Sequence, residues 1–281
     1  MRAVIFGASG MLGAELNRQL VSGGHTVHAF DRELDVTDAA AVAAKISELK
    51  PEVIFNCAAY NAVDKAETEA DLARRLNADA VGNVARAAQS AGAVVVHYST
   101  GFVFDGSKET GYSEADQPAP QSVYAETKFQ GEQQLSQNTE KFYLIRLNLL
   151  FGKPGLSAGS KKSFPALILD LAAQRDSFEF VADEISGPTY APDLAKATLQ
   201  LIAGEYPFGI YHLVNEGRAS WYDWAKEIFA LKQINAQIAP VSAEKFPRPA
   251  KRPHYSVLLN TKFPKLRTWQ EATKEFLTEQ A

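Results

Sequence analysis

Residues 7–13 read GASGMLG, three glycines spaced G-x-x-G-x-x-G, directly after the apolar run RAVIF and directly before a helical pattern with Leu12, Leu16 and Leu20 on one face. No other stretch restricts the fold so strongly. A strand that turns through glycines into a helix aims backbone N–H groups and the positive end of the helix at one spot, which suits a diphosphate. The glycines permit the tight turn and let a ligand approach the backbone. A plain strand–helix turn would not need all three. The expectation is a dinucleotide site on the first βα unit of a parallel sheet.

The rest of the first half keeps the alternation such a sheet requires. Short β-branched runs at 3–6, 26–30, 53–56, 94–98 and 143–147 are separated by Ala-rich helical stretches at 11–22, 38–48, 68–90 and 122–138. Strands apolar along their whole length imply burial on both faces. The fold class is therefore α/β, a doubly wound and mostly parallel sheet of the Rossmann type. With 281 residues and 46% hydrophobic content, the chain can fill that core and a second, smaller one.

The pattern changes near residue 150. A polar Gly/Ser-rich loop spans 153–163, a helix is expected over 164–174, a strand over 178–181, a helix over 190–203 and a strand over 209–214. All three tryptophans, Trp221, Trp224 and Trp269, and the proline-rich FPRPAKRPHY (246–255) lie beyond 215. The division read from this is a dinucleotide-binding domain of residues 1–151 and about 176–214, and a smaller C-terminal substrate domain of 152–175 and 215–281.

Charge and cysteine content exclude several functions. The net charge of −4 gives no bulk support for binding nucleic acid or an anionic membrane. Cys57 is the single cysteine, so no intrachain disulfide exists. No apolar stretch has membrane-spanning length, and MRAVIFGASG does not read as a signal peptide. A cytoplasmic protein is expected. The histidines His25, His28, His97, His212 and His254 show no metal-ligand spacing, so no metal site is expected. Cys57 follows Asn56 in an apolar run and reads as a small buried hydrophobe. Ser99 is not in a G-x-S-x-G elbow, which disfavours hydrolase chemistry. The acidic ETEAD (67–71) reads as a solvated helix start.

Candidate ligand residues gather at strand ends. Asp31, closing the second strand, suits the ribose hydroxyls of NAD, whereas Arg32 suits the 2′-phosphate of NADP, so the cofactor is NADP or NAD. Asp35 and Val36 offer a carboxylate and an apolar face for adenine. In NCAAY (56–60), small residues end the third strand and leave room for a ligand. The catalytic signal is YAETK: Tyr124 and Lys128, four apart on a helix, share a face. A neighbouring ammonium is expected to lower the tyrosine pKa and make the phenol a usable proton donor. The strand end Ser99-Thr100 supplies hydroxyls nearby.

Taken in order, GASGMLG, NCAAYNAVDKAE, HYSTGFVFDG, VYAETKFQGE, GPTYAPDLA, GIYHLVNEG and KRPHYSVLLNT resemble the extended short-chain dehydrogenase/reductases, and within them the dTDP-4-dehydrorhamnose reductase family, over residues 1 to about 270. The resemblance implies NADPH- or NADH-dependent reduction at C4 of a dTDP-6-deoxy-4-ketohexose. It implies Tyr124 as proton donor, Lys128 on the nicotinamide ribose and Thr100 on the reacting oxygen. Cofactor contacts then fall on Gly7, Ser9, Gly10, Met11, Leu12, Asp31, Arg32, Asp35, Val36, Ala58, Ala59, Tyr60, Tyr124 and Lys128. Substrate contacts fall on Asn61, Val63, Gly101, Phe102, Leu149 and Arg252, with Arg252 suited to the diphosphate by its forked donors. The expected partner is a nucleotide sugar; a homodimer is left open.

The resemblance breaks at the substrate-facing positions. The family's S-T-D-Y-V-F has Gly101 for Asp and Phe102 for Tyr, its A-x-T-x-V-D has Asn61 for Thr, and its R-T-S-W-V has Leu149 for Trp. Lost polar groups imply a different or more apolar substrate, unless neighbours such as Asn61 or Asn148 compensate. Two alternatives stay open here. One is an epimerase or another sugar-nucleotide reductase. The other is a cofactor-binding regulatory subunit, a role taken by the related regulatory beta subunit of methionine adenosyltransferase.

Overall fold

The computed structural model describes residues 1–157, 160 and 162–279. Part of the expected 153–163 loop, at 158, 159 and 161, lies outside the described residues, as do 280 and 281. The first half alternates as expected: β1 (Arg2–Phe6), α1 (Met11–Ser22), β2 (Thr26–Phe30), α2 (Ala39–Leu49) and β3 (Val53–Asn56). A short α3 (Val63–Ala66) then precedes α4 (Ala70–Arg74), which passes through a π-turn (Arg75–Asp79) into α5 (Ala80–Ala91). Next come β4 (Val94–Thr100), α6 (Val123–Asn138) and β5 (Phe142–Leu147).

The remainder comprises β6 (Leu150–Phe151), α7 (Phe164–Ala172), β7 (Ser177–Val181), β8 (Ile185–Ser186), β9 (Thr189–Tyr190), α8 (Ala191–Ala203) and β10 (Gly209–His212). The chain closes with β11 (Ala219–Ser220), α9 (Trp221–Leu231), β12 (Gln237–Val241) and α10 (Trp269–Glu279). No helix among the described residues is long and apolar enough to cross a membrane.

Six strands form one parallel sheet in the order β10-β5-β4-β3-β1-β2. Alternation along β1 shows why its run is apolar throughout. Ala3 and Ile5 pack with Leu12, Leu16 and Leu20 of α1 and Leu194 and Leu201 of α8, while Val4 and Phe6 pack with Val42 and Ile46 of α2 and Val81 and Val84 of α5. The strand order reverses between β1 and β3, so the crevice at their carboxyl ends is a switch point where ligands of such sheets bind.

The smaller core lies beside this sheet. Phe151, Phe178, Phe180, Trp224, Phe229, Trp269 and Phe276 pack together from β6, β7, α9 and α10. The 176–214 segment is shared between the two units. Its first strand, β7, pairs in parallel with β12 and buries Phe178 and Phe180 in the smaller core. Its last strand, β10, completes the main sheet beside β5. The stretch read as one helix over 68–90 contains the π-turn, and the strand read as 94–98 runs two residues further, through Ser99 and Thr100.

Candidate active site

A cavity of about 590 Å³ opens at the switch point. The glycine turn contributes Gly7, Ser9 and Gly10; the end of β2 and its loop contribute Asp31, Arg32, Asp35 and Val36; the end of β3 contributes Ala58, Ala59 and Asn61. Gly7 has φ +73°, and a Cβ there would lie 2.7 Å from the Ala58 nitrogen, so the turn leaves no space for a side chain. Ser9 hydrogen-bonds Asp31, and Asp35 accepts from the Thr37 N–H and hydroxyl, both at 2.8 Å. Bare backbone at a helix N-terminus, with carboxylates and a guanidinium at the far end, fits a dinucleotide. Met11 and Leu12 open α1, and the Leu12 side chain is turned into the sheet core.

Two further parts of this wall carry no sequence signal. Arg75, on the π-turn, lines the cavity at the side of Asp35. Ser157 lines it from the 153–163 loop, whose Leu156 N–H donates to the Ser9 carbonyl at 2.7 Å.

The residues expected to handle the proton lie at the end of β4. Ser122 caps α6 by accepting from the Ala125 N–H, and the first turns of that helix carry Tyr124 and Lys128 onto the sheet. Tyr124 is buried, with the Thr100 hydroxyl close enough to act on its phenol. The Lys128 ammonium donates to the Tyr98 carbonyl at 2.6 Å. Burial pushes the Tyr124 phenol up to about 12, against the opposing pull of the Thr100 hydroxyl. The lowered pKa expected from Lys128 is thus not what this environment produces: desolvation dominates, and the opposing pull comes from Thr100. Burial likewise brings Lys128 down to about 8, opposed by the charge of Glu132. At neutral pH the phenol holds its proton and the amine is mostly charged, the state a proton donor needs.

Asn77, buried on the π-turn, braces this arrangement. Its Oδ1 accepts from the Tyr60 N–H at 2.8 Å, and its Nδ2 donates to the Tyr60 carbonyl and to the Thr127 hydroxyl, each at 3.1 Å. It therefore joins the loop after β3 to the helix that carries Tyr124. Tyr60 itself donates its hydroxyl to Glu69 at 2.6 Å.

Of the positions expected to face the substrate, Phe102 and Val63 lie beside Tyr124. Phe102 meets its ring edge to face at 6.3 Å, and Tyr60 and Val63 join the same apolar cluster. Gly101 is buried against the Asn148 side chain. Leu149 takes a left-handed φ of 41° and packs on the smaller core. The Arg252 fork is taken up by Asp64, with N–O distances of 2.8 and 2.7 Å, so two carboxylate oxygens stand where a diphosphate was expected.

Comparison with known proteins points in one direction. The family model described as "RmlD substrate binding domain" matches residues 1–281. A curated relative named dTDP-4-dehydrorhamnose reductase, from Shigella flexneri, is 37% identical over 302 residues, covering 99% of this chain and 98% of its own. A solved dTDP-4-dehydrorhamnose reductase from Clostridium acetobutylicum superposes with a TM-score of 0.94 at 38% identity, covering 100% of this chain and 99% of that one. Another, from Bacillus anthracis and solved in complex with NADP, gives 0.93 at 36% identity with 99% of both chains covered.

Proposed function

The chain belongs to the family described as the RmlD substrate binding domain, and on that premise we propose that it reduces the 4-keto group of a dTDP-linked 6-deoxy sugar with NADPH or NADH. The observation that carries this reading is the buried Tyr124 phenol beside Thr100 at the open end of the sheet, with Lys128 one helical turn away and held by the Tyr98 carbonyl. A reduced nicotinamide bound at the switch point supplies the hydride. The protein's part is the proton. As hydride reaches C4, the Tyr124 phenol gives its proton to the carbonyl oxygen and C=O becomes CH–OH. Thr100 donates to the phenolate that remains, and the Lys128 ammonium holds the ribose with the hydrogens not given to Tyr98.

Cofactor contacts are assigned to Gly7, Ser9, Gly10, Met11, Leu12, Asp31, Arg32, Asp35, Val36, Ala58, Ala59 and Tyr60. The smaller unit, 152–175 and 215–281 together with β7, is assigned to the nucleotide sugar, with Asn61, Val63, Gly101, Phe102, Leu149 and Arg252 on its path. A diphosphate replaces Asp64 on Arg252, since both anions fit the same planar fork. Phe102 beside the proton donor favours a sugar carbon without a hydroxyl at that point, as a 6-deoxy sugar provides.

The test is NADPH oxidation, followed by absorbance, with dTDP-4-keto-6-deoxy sugars, and identification of the product by NMR. Turnover to the 4-hydroxy sugar is expected. No oxidation with any dTDP sugar, together with thermal stabilisation by a different nucleotide sugar alone, would overturn the substrate assignment.

A further inference from the structure

Helix α6 carries a third polar side chain on the face that holds Tyr124 and Lys128. Glu132 follows Lys128 by four residues, as Lys128 follows Tyr124, so the three stack along one side of the helix. Glu132 is 4% exposed. Its carboxylate accepts from the Ser99 hydroxyl at 2.6 Å, from Arg146 Nε at 3.0 Å and from Arg146 Nη2 at 2.6 Å. Ser99 and Arg146 are register partners on β4 and β5, and Ser99 directly precedes Thr100. Arg146, 1% exposed, lies over the Phe104 ring at 5.1 Å, and its Nη1 has no hydrogen-bond partner among the described residues.

The charges around Lys128 make this carboxylate more than a brace. The titratable groups acting on Lys128 are Glu132 and Cys57, and Lys128 in turn acts on His97. Burial keeps the Cys57 thiol and the His97 ring uncharged. Two buried cations, Lys128 and Arg146, thus share one anion. A buried charge is tolerated only when paired and hydrogen-bonded.

We propose that Glu132 is a positioning residue of the reductase: clamped by Arg146, its carboxylate fixes Ser99 and with it Thr100, and, one helical turn from Lys128 on the same buried face, it supplies the compensating negative charge. The role rests on the reductase reading for its effect on turnover, but its effect on Lys128 is legible in cofactor binding alone.

The experiment compares wild type with Ser99→Ala and with Glu132→Gln/Arg146→Met, which removes both members of the pair so that no guanidinium is stranded. NADPH affinity is measured against pH by nicotinamide fluorescence, and kcat against pH where turnover is present. Wild-type affinity is expected to fall as pH rises through about 8, where Lys128 loses its proton. In the double variant the fall comes roughly one pH unit lower, because the anion that favours the charged amine is gone. Ser99→Ala keeps every charge, so it lowers kcat by roughly tenfold and leaves the pH profile in place. A folded double variant with the wild-type NADPH–pH profile would overturn the proposal. Absent turnover in the wild type counts against the reductase reading alone, since the NADPH profile still decides the role of Glu132.

Discussion

Asn148 fills the space that a side chain on Gly101 would need: a Cβ there would lie 2.5–2.9 Å from the Asn148 carboxamide atoms. The same carboxamide accepts from the Gly101 N–H at 3.0 Å and donates to the Ser256 carbonyl. The missing acid at 101 is therefore matched by an amide reaching over from the end of β5. That amide is committed to protein partners on both sides and presents no charge to a sugar.

This pairing makes the two positions energetically dependent. Gly101→Ala is expected to cost about 1–3 kcal/mol by overpacking. Asn148→Ala is expected to cost about 1–3 kcal/mol by stranding the Gly101 N–H and the Ser256 carbonyl. The double variant should lose less than the two added together, by about 0.5 kcal/mol or more, because the new methyl occupies vacated space. Urea unfolding of the four proteins checks this; strict additivity would mean that the contact does not matter.

Tyr124→Phe keeps the ring and its contact with Phe102 but removes the proton. Turnover should drop by about 10²–10⁴, while NADPH affinity stays near that of the wild type. An unchanged rate in a steady-state assay would show that the proton comes from elsewhere.

The adenosine end of the cavity bears on cofactor choice. Asp31 and Asp35 are engaged by Ser9 and Thr37, whereas Arg32 and Arg75 line the same wall. A 2′-phosphate placed there meets two guanidiniums. Replacing Arg75 with Ala should raise the KM for NADPH several-fold more than that for NADH, and adding Arg32→Ala should widen the gap. Equal changes for both cofactors would place the phosphate elsewhere.

Two buried histidines tie stability to mild acid. Burial lowers His212 to about 4, with the nearby Glu114 carboxylate opposing, and lowers His97 in the same sense. Unfolded histidine takes up its proton near pH 6.5, so between that pH and about 4 the unfolded chain binds more protons than the folded one. Stability is then fully present above pH 6.5 and declines as pH falls toward 4. Urea midpoints measured across this window should decrease, and His212→Gln should flatten the slope. A flat profile in the wild type would contradict the assigned burial.

Much of the architecture is readable from the residues because parallel strands buried on both faces leave an unbroken apolar run, as in β1, β3 and β4. The glycine turn and the Tyr124–Lys128 spacing are readable because their geometry is local. The features that escape depend on distant partners. β7 looks like any sheet strand until β12 arrives from 60 residues later (237 − 177) to pair with it. Asn77 belongs to no short motif, and Glu132 and Arg146 stand at the edges of theirs with no role assigned; their meaning comes from Tyr60, Thr127 and Ser99, brought close by the fold. The pKa of Tyr124 escapes for the same reason. Sequence spacing reveals the cation at i+4 but not the burial that sets the pKa of the phenol.

The π-turn at Arg75–Asp79 gives the stretch an unusual response to length. A π-turn holds one residue more than a regular helix would. Deleting a residue there exchanges one wide turn for one regular turn, so α4 and α5 stay in phase and the loss falls on the turn itself. Asn77 would then swing away from Tyr60 and Thr127, and Arg75 from the cavity wall. In this helix the most regular backbone is the wrong one: the extra residue of the irregular turn is what brings Asn77 to Tyr60 and Thr127 and Arg75 to the cavity wall.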